Sequence, residues 1–150
     1  MTIRAVYDCM IYLQAASNWN GASGECIRRS LLGDVELCQS LRVLDEIRDV
    51  LTRPRIKKKF PDLTSERVNL FMKDVSRYAF QCPLPPSVFE LPRDPNDEKY
   101  LDLALAVNAK YLVSRDNDLL DIMNDESFRT AYPNLEIIQP AAFLQLFAPR

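Results

Sequence analysis

Six acidic residues stand where this chain could do chemistry. Asp8 closes an apolar run, and Glu46 lies in the stretch Val43 to Val50. Asp94 and Asp97 bound Asp94-Pro95-Asn96-Asp97, and Asp116 and Asp118 fall within Ser114-Arg115-Asp116-Asn117-Asp118. Each has an ordinary explanation. Asp8, Asp116 and Asp118 suit turns or caps, Asp94 suits an N-cap, and Asp97 favours the positive end of a helix. Glu46 would flank the apolar stripe of its helix as a surface glutamate. Gathered in one place, the same residues become a different object. Two unit charges about 4 Å apart repel by roughly 4 kcal/mol at an effective dielectric near 20. Three or four converging carboxylates therefore need protons or a cation. Oxygen donors alone favour a hard divalent ion, Mg²⁺ or Mn²⁺, which activates water and neutralises phosphate oxygens.

The composition excludes most alternatives. Among 150 residues there is no histidine, which removes catalytic triads, imidazole bases and histidine-ligated zinc. The 3 glycines, Gly21, Gly24 and Gly33, cannot write a phosphate-binding or dinucleotide loop. The 4 cysteines form no C-x-x-C pair and read as reduced thiols, three of them in apolar or helical stretches. Asp8 interrupts the apolar run after Arg4, so no signal peptide is expected. No stretch approaches the roughly 18 apolar residues of a membrane span. The expectation is a cytoplasmic protein with no membrane partner.

Charge is nearly balanced, 19 basic against 21 acidic residues for a net −2, so any nucleic-acid surface must be local. The dense basic cluster is Arg53, Arg55, Lys57, Lys58 and Lys59. It reads either as phosphate contacts or as a solvated charge run. Arg115, beside two of the acids, is the better single candidate for touching a scissile phosphate.

The elements that must position these residues alternate. Ile3 to Tyr7 reads as a buried strand, Met10 to Ala16 as a helix, and Ser23 to Leu32 as a second helix ended by Gly33. Val35 to Gln39 is a second strand. Ser40 caps a helix through Leu51 that carries Leu44, Ile47 and Leu51 on one face. Pro54 ends it, Arg55 to Phe60 is a basic segment, and Thr64 begins a helix to about Ala79. Cys82 to Pro92 is a proline-rich extended connector, and Asp94-Pro95-Asn96-Asp97 starts the helix that buries Leu101, Ala104, Leu105 and Val107. Tyr111 to Ser114 and Leu135 to Ile138 are the third and fourth strands, with a closing helix from Pro140. The alternation predicts a single domain over residues 1–150, a three-layer α/β/α sandwich with a mostly parallel central sheet. In such sheets the ligand crevice lies beyond the carboxyl ends of the strands, where Asp8 and Asp116 fall. Phe71, Met72 and the aromatic segment Phe143 to Phe147 read as core rather than interface.

These residues resemble the PIN-domain nucleases, particularly the branch related to toxin components of bacterial and archaeal toxin–antitoxin pairs. The carriers are the strand ending in Asp8, the segment Ser40 to Arg48, Arg93-Asp94-Pro95-Asn96-Asp97 with Leu101-Asp102-Leu103-Ala104, and Tyr111 to Leu120. The resemblance runs from Ile3 to about Phe147. It implies a parallel sheet flanked by helices. Asp8, Glu46, Asp97 and Asp116 would be the family's acidic quartet around one or two Mg²⁺ or Mn²⁺ ions, with Asp118 as an auxiliary acid. Ser114 would stand for the hydroxyl residue that orients the site. The implied reaction is endonucleolytic cleavage of RNA to 5′-phosphate and 3′-hydroxyl ends, by in-line attack of a water that the ion activates. The implied partners are RNA, a cognate antitoxin and a second copy of the chain.

One departure bears on activity. Where the family usually has Asp-Thr-Asn, this chain has Asp8-Cys9-Met10, so a hydroxyl and an amide that hold carboxylate and water are missing. Outer hydrogen-bond partners commonly change metal affinity 10- to 100-fold. The alternative reading is therefore a catalytically impaired module of the same fold that binds RNA or protein. A phosphoaspartate enzyme or receiver also places an aspartate after its first strand, but Met10 stands where the hydrolase version wants a second aspartate. The receiver's extra acidic pair and late lysine are not apparent either.

Overall fold

The structure is a computed structural model that describes residues 2–91 and 94–147. Its strands are Ile3–Tyr7 (β1), Val35–Gln39 (β2), Phe80–Gln81 (β3), Tyr111–Val113 (β4) and Glu136–Ile138 (β5). They form one sheet in the order β3-β2-β1-β4-β5, and every neighbouring pair is parallel. Helices Cys9–Ser17 (α1) and Ala22–Leu31 (α2) join β1 to β2. Leu41–Thr52 (α3), Pro54–Lys59 (α4) and Ser65–Ser76 (α5) lie between β2 and β3. Glu98–Ala106 (α6) precedes β4, Asn117–Leu120 (α7) and Glu126–Ala131 (α8) precede β5, and Pro140–Gln145 (α9) follows it. The architecture is the expected α/β/α sandwich.

The strand order decides where the site falls. From β1 the chain lays β2 and β3 outward to one side, then crosses back and lays β4 against the other side of β1. The sequence order therefore reverses between β1 and β4, the position where open α/β sheets leave a crevice at their carboxyl ends. Register aligns Tyr7 with Val113, so the next residues, Asp8 and Ser114, leave the sheet side by side.

Local chemistry sets the boundaries. Ser40 accepts a hydrogen bond from the Val43 amide at 3.2 Å and Thr64 from the Arg67 amide at 3.2 Å, which caps α3 and α5 as read from the sequence. Gly33 follows α2 with φ +87°, a left-handed conformation that residues with a Cβ adopt at a cost. Gly24 lets α2 pass the end of α1, because a Cβ there would lie 1.9 Å from the Trp19 carbonyl oxygen. The core runs through both faces of the sheet, with Tyr7, Tyr12, Leu112, Met72 and Phe143 inaccessible to solvent. Fully burying an aliphatic side chain of this size contributes about 1.5–3 kcal/mol. Phe71 and Phe147 pack against that core, half-buried, in line with the core reading of these segments.

Three departures from the sequence reading have physical reasons. Arg55 to Lys59 belongs to a helix, α4, because Pro54 occupies its first turn, where a missing N–H costs nothing. Gln81 extends the sheet as part of a two-residue edge strand too short to show alternation. The segment after Asp116 folds into the short helices α7 and α8, each under two turns and below the reach of a periodicity argument. The connector is tied down by Asp102, a buried carboxylate on α6 that accepts the Val88 and Phe89 amides, both at 2.9 Å. Glu98 accepts the Leu91 amide at 2.7 Å in the same way. Pro92 and Arg93, which close the connector and open the acidic motif, lie outside the described residues.

Candidate active site

Asp8 ends β1 and caps α1 at once. One carboxylate oxygen accepts the Met10 and Ile11 amides at 3.0 and 3.2 Å, and the other accepts the Ser114 hydroxyl from the end of β4. The residue is 4% exposed. Burial pushes its carboxyl up to about 6 against the lowering effect of those three donors, and the charge of Asp116 pushes the same way as burial. Ser114 is fully buried and accepts the Asp116 amide at 2.9 Å, so one hydroxyl joins the two acids that leave adjacent strands.

Asp116 is in turn the cap of α7, accepting the Asp118 amide at 2.9 Å. Asp94 caps the short 3₁₀ turn Pro95–Asp97 by accepting the Asn96 amide at 3.0 Å, and that turn delivers Asp97 to the start of α6. Carboxylate oxygens of Asp94, Asp97 and Asp116 all lie within 4.8 Å of one another. Asp97 is 7% exposed, and its Oδ2 is buried with no hydrogen-bond partner among the described residues. Burial, the hydrogen-bonded contact with Asp116 and the charges of Asp116, Asp94 and Asp8 push its carboxyl up to about 8. A buried, unpartnered carboxylate oxygen facing two other acids is the chemistry that a hard divalent cation satisfies.

Glu46, on α3, is turned to a different task. It forms an ion pair with Lys99 at 2.7 Å and accepts the Tyr100 hydroxyl. Burial works to raise its carboxyl, and the hydrogen bonds from Lys99 and Tyr100 overcome that, leaving it below the usual carboxylate range. The Tyr100 hydroxyl also accepts the Cys9 amide at 3.1 Å, linking α1, α3 and α6 at the site. Lys99 is 7% exposed and donates as well to the Asn96 carbonyl. Neither Lys99 nor Tyr100 figures in the sequence reading as a site residue, and Asp94, weighed there among the six acids, is left out of the expected quartet as a cap.

Asp94, Asn96, Asp97, Asp116 and Glu46 line one cavity of about 290 Å³, whose other wall includes Cys9, Met10, Arg53 and Arg55. Asp118 lines the neighbouring cavity of about 220 Å³ with Asp94, Asp97 and Asp121. Arg115 is exposed, lies outside the residues lining the acidic cavity, and acts electrostatically on the Cys26 thiol of α2. The structure thus clusters Asp97 and Asp116 with Asp94, ties Asp8 to them through Ser114 without making it part of the cavity lining, sets Glu46 on the wall in a pair of its own, and leaves Arg115 to one side.

A family model described as PIN domain matches residues 4–118, from the middle of β1 through the Asp116 turn. The chain belongs to the PIN-domain family. That family is one of nucleases, and the match spans Asp8, Glu46, Asp94, Asp97, Asp116 and Asp118. A search of curated proteins gives no match. Among solved structures, a chain in the crystal structure of VapBC2 from Rickettsia felis bound to a DNA fragment from their promoter superposes with a TM-score of 0.56 at 13% identity. The likeness covers 91% of this chain and 98% of that one, and at this identity it speaks to the fold. Within the PIN domain, the Cys9-Met10 pair stands on the cavity wall. Burial pushes the Cys9 thiol up to about 12, so it presents a neutral thiol, and Met10 is 41% exposed.

Proposed function

We propose that this PIN domain is a divalent-metal-dependent endoribonuclease, the toxin of a toxin–antitoxin pair, acting in the cytoplasm as one unit over residues 1–150. Its substrate is RNA, and its partners are a cognate antitoxin and a second copy of the chain. The observation that carries the reading is the orphaned Oδ2 of Asp97 beside Asp94 and Asp116. Membership of the PIN-domain family and the likeness to VapBC2 support the nuclease and toxin parts of it. No helix among the described residues is long and apolar enough to cross a membrane.

Asp94, Asp97 and Asp116 would hold Mg²⁺ or Mn²⁺, with Asp8, Glu46 and the auxiliary acid Asp118 around them. The bound ion supplies Lewis acidity and charge neutralisation at the phosphate. The remaining work belongs to the chain. Ser114 orients Asp8 and fixes the Asp116 backbone, and the Lys99 and Tyr100 contacts hold Glu46 still. Arg115, outside the cavity lining, would reach only substrate that extends beyond the acidic cavity.

The test is cleavage of RNA and of DNA of the same sequence, with Mg²⁺, Mn²⁺ or EDTA. Metal-dependent cuts in RNA leaving 5′-phosphate ends are expected. Asp97→Asn and Asp116→Asn should each lose about two orders of magnitude or more. Undiminished cleavage in both variants rejects the site. The Cys9-Met10 wall favours one second reading, a binding module of impaired activity. Tight Mn²⁺ and RNA binding with no turnover by the parent protein would select it.

A further inference from the structure

The basic cluster of α4 is not used by the site described above, yet its placement is not that of a diffuse charged face. The acidic cavity opens into a second cavity of about 400 Å³, with which it shares Met10, Leu13, Arg55 and Ile56. That cavity opens into a third of about 550 Å³, sharing Ser17, Lys59 and Phe60. The three make one trough, from the carboxylates along α1 and α4 to the loop before α5. Arg67 and Phe71 line its far end.

The cations along it differ in what they are free to do. Arg53, at the mouth, is held by Asp49 in a forked contact at 2.8 and 3.2 Å. The Arg55 side chain has no ion pair or hydrogen bond among the described residues, and it is exposed. Among the described residues, Lys59 has only the Phe60 ring, with its Nζ 5.5 Å from the centroid. Arg55 and Lys59 are one helical turn apart on the same face of α4, where neighbouring Cβ atoms lie about 5–6 Å apart. That spacing is of the order of successive phosphates in an extended strand. Cations at this interval, alternating with apolar surfaces such as Met10 and Phe60, make the arrangement that tracks an unpaired nucleic acid.

We infer that the α4 trough carries the single-stranded RNA that flanks the scissile bond, with Arg55 and Lys59 on successive phosphates and Met10 and Phe60 beneath the bases. The inference rests on the nuclease reading and extends it to the course of the substrate. A polyanion entering a carboxylate-rich site meets repulsion there, and the trough supplies opposite charge immediately beside it. Lys58, on the same helix, does not line the trough and serves as the control.

The experiment uses the whole chain carrying Asp97→Asn, so that bound RNA is not cut, and a labelled 12-nucleotide single-stranded RNA followed by fluorescence anisotropy across a salt series. Adding Arg55→Ala with Lys59→Ala should weaken binding roughly tenfold and reduce the salt slope by about 1.4, from roughly 0.7 per phosphate contact. Lys58→Ala should change neither. Unaltered affinity and slope in the double variant overturn the trough, even if the parent protein cleaves RNA with Mn²⁺. A parent protein that cuts nothing, alongside the expected loss of binding, sinks the nuclease reading and leaves the trough standing. Displacement of the RNA by an equal concentration of polyglutamate would assign the trough to an acidic protein segment and overturn the proposal.

Discussion

The Lys99 ammonium lies 2.7 Å from the Glu46 carboxylate, and both project beside a cavity crowded with other acids. Lys99 is almost wholly buried, and its ammonium finds polar contacts in Glu46 and the Asn96 carbonyl. Removing one member of such a pair leaves the other without its partner, which typically costs about 3–5 kcal/mol for fully buried groups and less where one side reaches solvent, as Glu46 does. Lys99→Met should therefore destabilise the fold by about 2–3 kcal/mol in urea denaturation. Combining it with Glu46→Leu should recover part of that loss. Strictly additive losses in the double variant would show that the pair does not act as a unit.

The raised carboxyls of Asp97 and Asp8 set the pH dependence of the ion-free fold. Asp97 is pushed from 3.8 up to about 8. Between those values the folded chain holds a proton that the unfolded chain has released. Its stabilising contribution is then complete below about pH 4 and is lost as pH rises through about 8. Asp8, pushed up to about 6, acts in the same direction over the lower part of that range. Denaturation in EDTA should show stability falling from pH 5 to pH 8.5. Asp97→Asn should flatten the upper part of the slope, and a profile already flat in the parent protein would contradict the buried acid cluster.

Added Mn²⁺ should act oppositely. An ion that takes the place of protons on Asp97 binds more tightly as pH rises toward 8, so the gain in melting temperature on adding Mn²⁺ should be larger at pH 8 than at pH 6. Thermal melts of parent and Asp97→Asn with and without Mn²⁺ measure this. An equal gain in both proteins would place the ion elsewhere.

Ser114→Ala removes the hydroxyl that Asp8 accepts and that receives the Asp116 amide. The Asp8 carboxyl then loses a donor that lowers it, so the pH at which Mn²⁺ half-saturates the protein should move upward. Cleavage should drop roughly 10- to 100-fold, as for other outer partners of metal ligands. Ser114→Thr keeps the hydroxyl and should restore most of the binding profile.

Asp102→Ala cuts the connector loose from α6. Two charge-assisted hydrogen bonds to partly exposed amides are lost, a cost of about 2–3 kcal/mol by typical values. Hydrogen exchange should show Val88 and Phe89 losing protection first. Retained protection there would mean that the proline-rich segment holds itself.

Much of this was legible in the residues. The end of β1 at Asp8, the caps at Ser40 and Thr64 and the stop at Gly33 follow from patterns local to each segment, and the structure reproduces them. The neighbouring placement of Asp8 and Asp116 was only conditional, because strand order is a long-range property; the β1–β4 register supplies it. Lys99 and Tyr100 carried no signal. On a helix that reads as apolar with polar flanks, nothing in their spacing says that both turn toward Glu46, more than fifty positions earlier in the chain. Asp94 was legible as a cap and is one, and its second role depends on the turn that brings Asp97 beside it. Pro54 reads as an ending in the sequence because proline both stops one helix and opens another, and the identity of the residue alone does not choose.

The side-by-side exit of β1 and β4 has a consequence for biosynthesis. Asp8 is synthesised 108 residues before Asp116. A growing polypeptide cannot assemble these carboxylates until the later strand has emerged and docked against the first. The order in which the sheet is woven thus makes the acidic cluster one of the last features of the fold to come into being.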